Sequence, residues 1–157
     1  MTGPAVSKAP AESFAELSAA LTGFRTAEIW GTGQVDPYLS ELIAMLGEDM
    51  VAHLLVTGQE ALAARNPNKE LKELVLEDPD LGPVARSVIV LWYTGQWNPL
   101  PSDWRNRNGA SPLDVARVIS AASYKSGLVW PAIGAHTKGA NPTGYGSWAN
   151  PPTAVAG

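Results

Sequence analysis

The sequence predicts an all-α fold, a small bundle of about six helices followed by a long irregular C-terminal arm. Apolar residues recur at helical spacing in several separate segments, and no β-branched run alternates with period two. The 157 residues suffice for one buried core but not for two independent domains. We therefore expect a bundle over residues 1–126, with a flexible N-terminus at 1–12, and an extended arm over residues 127–157.

The first three helices are predicted from capping residues and apolar spacing. Ser13 opens a capping-box pattern and Gly23 is a typical stop, so these residues bracket the first helix. The second helix begins at Asp36–Pro37 and ends at Gly47. A third helix follows it and ends before Asn66–Pro67, because the residue before a proline disfavours helix.

Three further helices complete the predicted bundle. A short fourth helix around Leu71 is stopped by Asp78–Pro79, and the fifth, residues 83–94, is apolar on most faces, as is typical of a central helix. Residues 98–110 are predicted to be irregular. The sixth helix is predicted over residues 111–124 and should pack on the fifth through a stripe of Val115, Val118, Ile119 and Ala122.

Composition and charge exclude several classes of function. The chain has 15 Asp and Glu against 11 Lys and Arg, a balance opposite to that of nucleic-acid-binding domains. It has no cysteine, no apolar run long enough for a direct membrane span and no visible secretory signal. His53 and His136 lie far apart in sequence, so we predict no catalytic, metal-binding or cofactor-binding residue in this chain.

Tryptophan is concentrated in the second half of the sequence. Five of the six tryptophans follow residue 91, and the arm holds six glycines, four prolines, no acidic residue and Lys138 as its single Lys or Arg. A segment with so little charge needs a surface to lie on, either the chain's own helices or another protein.

Three strings of residues carry a resemblance to a known family. They are Leu91–Gly95, then Tyr124 with Gly127–Trp130, and Gly144–Ala149 ahead of Pro151–Pro152. Together they resemble the small subunit of bacterial membrane-bound FAD-dependent sugar and polyol dehydrogenases, the sorbitol dehydrogenase small-subunit family. Fructose and glucose dehydrogenases of the same type have such a subunit.

The resemblance implies an accessory role. The chain would bind no cofactor itself and would stabilise a large catalytic subunit of the glucose-methanol-choline type, which holds FAD. The resemblance also implies help with export, a periplasmic location and a cytochrome c subunit as a further partner; without export the location would be cytoplasmic. The twin-arginine signal that the family often carries is missing from this sequence. The predicted partner-interface residues are Trp92, Tyr93, Trp97, Trp104, Tyr124, Trp130, Tyr145 and Trp148.

Two alternatives stay open at this point. One is an autonomous helical enzyme or binding module for a carbohydrate, with a cleft lined by Trp97, Trp104, Arg105 and Arg107. The other is a self-contained scaffold whose arm caps its own core.

Overall fold

The structure, a computed structural model, describes residues 8–132 and confirms the all-α prediction. Tyr145 and Trp148 therefore lie outside the described residues. The elements in chain order are α1 (Pro10–Thr22), α2 (Thr26–Gly31), α3 (Val35–Leu46), α4 (Glu48–Leu62), α5 (Pro67–Leu71), a π-helical turn (Lys72–Leu76), α6 (Leu81–Thr94), β1 (Gln96–Trp97), α7 (Ser102–Asn108), β2 (Arg117–Val118), α8 (Ala121–Lys125) and α9 (Val129–Ala132).

The core lies between α1, α3, α4 and α6. Its centre is the ring of Trp92 on α6, which lies 5.9 Å from the ring of Phe14 and 4.8 Å from that of Tyr38, measured between centroids. Aromatic side chains bury more apolar area than any others, so this cluster fixes how the three helices pack. The fifth predicted helix is thus confirmed as the central one.

Helices α1 and α4 approach closely because Gly58 has no side chain. A Cβ atom at Gly58 would lie 3.0 Å from Cδ1 of Leu17, tighter than ordinary packing allows. Beside this contact, the amide of Gln59, the next residue of α4, donates a hydrogen bond to the hydroxyl of Ser13, one turn before Leu17 on α1. Glycine at position 58 lowers the intrinsic stability of α4, but it permits this close approach of the two helices.

Five of the six predicted helices are present, with shifted boundaries. Helix α1 begins at Pro10 rather than at Ser13, because proline is well suited to the first turn. Helix α2 is an addition to the predicted elements, and it is only six residues long. Glu28 caps it by accepting hydrogen bonds from the backbone N–H and the side chain of Arg25.

The sixth predicted helix is wrong. Residues 111–116 form turns, β2 pairs antiparallel with β1, and only α8 at the end of the predicted range is helical. The stretch 98–110 is also not irregular throughout, because it contains α7. The two-residue strands pair Gln96 with Val118 and Trp97 with Arg117, a minor addition to an otherwise helical fold.

The buried hydroxyl of Tyr38 should make the fold less stable at high pH. Burial raises the pKa of Tyr38 to about 12, against a lowering effect of the hydrogen bond with Ser123. The unfolded chain then loses this proton first, near the ordinary tyrosine pKa of 10.0, so the stabilisation is complete below pH 10 and is lost as the pH rises towards 12. We expect a loss of roughly 2–3 kcal/mol in the free energy of unfolding. Urea unfolding at pH 8 to 12 measures this loss, and Tyr38→Phe should remove it. If the free energy of unfolding of Tyr38→Phe falls with pH as steeply as that of the original chain, Tyr38 is not its cause.

Candidate interaction surface

Trp92 and Tyr93 on α6 serve the chain's own packing. Trp92 is buried, and its Nε1 has no hydrogen-bond partner within residues 8–132, so its ring acts through packing alone. Tyr93 is half-buried and donates its hydroxyl hydrogen bond to the carbonyl oxygen of Thr22 over 3.0 Å. Its ring also meets Phe24 edge to face, which ties the end of α1 to α6.

Trp97 is buried beside a carboxylate that the sequence analysis did not single out. Its Nε1–H donates to Oδ1 of Asp114 over 2.7 Å, and the backbone N–H of Leu100 donates to the same oxygen over 3.0 Å. Oδ2 of Asp114 lies 3.6 Å from Nε of Arg105 and accepts no hydrogen bond from the residues that the structure describes. Asp114 is only 2% exposed, so one buried carboxylate joins the loop after β1, α7 and the segment before β2.

Trp104 is buried against the start of α6. Its Nε1–H donates to the carbonyl oxygen of Asp80 over 2.8 Å. The Asp80 carboxylate accepts hydrogen bonds from the side chains of Asn108 (3.1 Å) and Arg107 (3.3 Å). The Asn108 hydrogen bond, with a smaller effect of Arg107, lowers the pKa of Asp80 below its ordinary value. These contacts hold α7 against the chain.

The predicted carbohydrate cleft is filled. Trp97 and Trp104 are buried, the Arg105 side chain pairs with Asp114, and Arg107 is engaged by Asp80 and by the carbonyl oxygen of Pro79. The two tryptophan rings are therefore not open to a carbohydrate, and both arginines already have partners within the chain. Nor is any group of three or more His, Asp and Glu side chains placed to hold a metal ion in the part of the chain that the structure describes.

Tyr124 and Trp130 form an aromatic pair at the C-terminal end of the described residues. Their rings meet edge to face with centroids 5.7 Å apart, and Nε1–H of Trp130 donates to the carbonyl oxygen of Tyr124 over 3.0 Å. Trp130 is half-buried and Tyr124 is exposed. The structure therefore buries Trp92, Trp97 and Trp104, leaves Tyr124 exposed, and leaves Tyr93 and Trp130 half-buried.

The residues near this aromatic pair in the sequence are largely exposed and nearly uncharged. Leu113, Val115, Val118 and Tyr124 are all between 38% and 48% exposed. Among the exposed residues of 111–132 only Lys125 carries a charge, since Asp114 is buried and Arg117 is partly buried and paired with Glu41 over 2.8 Å. We call this set the uncharged surface: Pro112, Leu113, Val115, Ala116, Val118, Ala121, Ala122, Tyr124, Pro131 and Ala132.

The inward turn of Asp114 accounts for the exposure of its two neighbours in the uncharged surface. The N–H of Asp114 donates to the carbonyl oxygen of Ser111 in a turn, and its carboxylate points to Trp97 and Leu100. Its neighbours Leu113 and Val115 are then exposed, whereas the predicted helical stripe required Val115 to pack on α6. An acidic residue inside an apolar run was the one available signal for this arrangement.

Fold and surface together define a small helical domain with an exposed apolar face. Comparisons of the chain with family models, with curated proteins and with solved structures give no match. None of the helices between residues 8 and 132 is long and apolar enough to cross a membrane.

Proposed function

We propose that this chain is a non-catalytic small subunit that binds and stabilises the large FAD-containing subunit of a sugar or polyol dehydrogenase. The observation that carries the proposal is the uncharged surface. Its residues are exposed and apolar and lie close together in sequence, and protein interfaces have cores that favour aromatic residues and are depleted of charge. The resemblance of the Leu91–Gly95 and Gly127–Trp130 strings supplies the kind of partner.

The proposed division of labour places all redox chemistry in the large subunit. FAD and substrate would be held by that subunit, of the glucose-methanol-choline type, and this chain would contribute stability by covering part of its surface. Binding that favours the folded partner stabilises it by mass action. The proposal extends to a periplasmic complex, to help with export and to a cytochrome c subunit that accepts the electrons.

A pair of valine substitutions tests where the partner binds. Val118→Asp places a charge in the uncharged surface, and we expect it to lower the amount of co-purified large subunit at least tenfold, because a buried unpaired carboxylate is costly. Val56→Asp is the matched control: Val56 is 53% exposed on α4, outside the uncharged surface, and its variant should bind within twofold of the original chain.

The measurement is co-expression with the large subunit from the same genome, followed by quantification of bound flavin and of dehydrogenase activity. Thermal unfolding of each variant separates loss of binding from loss of folding. A large subunit that is equally soluble, flavin-loaded and active when expressed alone would overturn the stabilising role. Equal binding by both variants would show that the partner does not use the uncharged surface.

A further inference from the structure

A shallow groove lies between α6 and residues 98–101. It has a volume of about 190 Å³, and its apolar lining comes from Pro83, Val90, Pro99 and Pro101. Three of these four residues are prolines, which offer flat apolar rings and no backbone N–H. The lining therefore favours an apolar side chain over a polar one.

The groove is preformed. The hydroxyl of Ser87 on α6 donates to the carbonyl oxygen of Asn98 over 2.9 Å, and the next apolar position, Leu100, is fixed by its N–H bond to Asp114. Both walls are thus tied to each other or to the core. Binding a ligand therefore costs little free energy for ordering the site, as is typical of binding grooves.

Among residues 8–132, Arg86 is the only charged one that lines the groove. Its side chain is exposed, and its Nη1 donates to the carbonyl oxygen of Leu76 over 3.1 Å. None of the ion pairs formed within residues 8–132 includes Arg86. A guanidinium carries five N–H donors in a fork that matches a carboxylate, so the charge at the groove favours an acidic group in the ligand.

The groove and the uncharged surface are linked through the end of α6. Val90 lines the groove, and the hydroxyl of Thr94, one turn later, donates to the carbonyl oxygen of Val90 over 2.7 Å. The N–H of Gln96 then donates to the Thr94 hydroxyl, and Gln96 pairs with Val118 of the uncharged surface. Val118 is therefore connected to the groove through Gln96 and Thr94, so a partner that covers Val118 lies near the groove.

We propose that the groove binds an extended segment of the large subunit in which an apolar side chain lies within a few residues of an Asp or Glu. The apolar side chain packs on the prolines and Val90, and the carboxylate pairs with Arg86. This inference rests on the proposed function. Residues 127–157 of the chain itself contain no Asp or Glu, so they lack the side-chain carboxylate that Arg86 would pair with.

Site-specific photo-crosslinking tests the proposal in the co-expressed complex. The probe is p-benzoylphenylalanine in place of Val90, with the same amino acid at Val118 for the uncharged surface and at Val56 as the remote control. We expect the probe at position 90 to label one peptide of the large subunit, at an apolar residue within three positions of an Asp or Glu. The probe at position 56 should label none.

Arginine substitutions test the charge. Arg86→Glu should lower co-purification of the large subunit at least tenfold, Arg86→Lys at most threefold, and Arg65→Glu, an exposed arginine between α4 and α5, less than twofold. Arg86→Met keeps the apolar stem and should fall between the first two. Thermal unfolding of each purified variant shows whether a loss of binding comes from a loss of folding.

The outcomes separate this inference from the proposed function. Labelling of the large subunit from position 118 alone, with normal binding by Arg86→Glu, would overturn the groove proposal and leave the accessory role standing. Labelling from position 90 of residues 133–157 of the same chain, or of a second copy, would also overturn it. No association of the unsubstituted chain with a flavin-binding protein would overturn the proposed function itself.

Discussion

Replacing Asp114 with alanine is expected to destabilise the fold by about 4 kcal/mol, because it leaves two buried donors without an acceptor. These donors are the indole N–H of Trp97 and the backbone N–H of Leu100, both of which bond to Oδ1. A lost hydrogen bond to a buried donor costs about 1–3 kcal/mol, and two are lost together. Urea unfolding at neutral pH, monitored by tryptophan fluorescence, measures the change.

Two further variants separate the carboxylate's roles. Asp114→Asn keeps an acceptor oxygen but removes its charge, so we expect it to cost about half as much as alanine. Arg105→Ala removes only an ion pair whose arginine side chain is 37% exposed, and should cost less than about 1 kcal/mol. If Arg105→Ala is as costly as Asp114→Ala, the ion pair rather than the two N–H donors holds this region together.

The helices with long apolar stripes were predictable because their pattern depends on local spacing alone. Leu39 and Leu42 are three residues apart in α3, as are Val51 and Leu54 in α4 and Val88 and Leu91 in α6, and the structure buries all six. The stop at Gly23 was also predictable, since a helix end with positive φ favours glycine over any other residue.

The region after residue 95 could not be predicted in the same way. Residues 111–124 have helical spacing, but the buried N–H donors of Trp97 and Leu100 require an acceptor. Asp114 turns inward to supply it, and this breaks the helix. These partners lie 17 and 14 residues away in sequence, so no local pattern encodes them. Helix α7 is short and polar, apart from Trp104, and it forms because its tryptophan and Arg107 bond to the residues before α6.

The exposure of the predicted site residues also depends on long-range contacts rather than on local sequence. The tryptophan-rich composition drew attention to the second half of the chain, but composition does not tell a buried ring from an accessible one. Trp92, Trp97 and Trp104 are buried, whereas Tyr124 is exposed next to Trp130. Exposure depends on which segments cover a ring, and that is decided by long-range contacts such as those of Asp114.

The second large effect is expected at Gly95, where the C-terminal part of the described chain meets α6. Gly95 ends α6 with φ 73°, and its carbonyl oxygen accepts hydrogen bonds from Ile119 N–H (3.1 Å) and from the Ser123 hydroxyl (2.9 Å). A Cβ atom there would lie 2.3 Å from the backbone oxygen of Ser123 and 2.7 Å from the nitrogen of Tyr124. Gly95→Ala therefore forces α8 away from α6, and we expect a destabilisation of about 3–4 kcal/mol.

Gly23→Ala isolates the part of this effect that comes from backbone strain. Gly23 ends α1 with φ 80° and has no atom within 4 Å of an added Cβ, so only the left-handed conformation opposes alanine, at a cost of about 1 kcal/mol. The difference between the two variants, measured by urea unfolding, reports the collision with α8. Because Tyr124 belongs to both α8 and the uncharged surface, Gly95→Ala should also weaken binding of the large subunit under conditions where the variant is folded, whereas Gly23→Ala should not. Equal free energies of unfolding for the two variants would show that α8 moves aside without cost, and the packing of this surface on α6 would then contribute nothing to its shape.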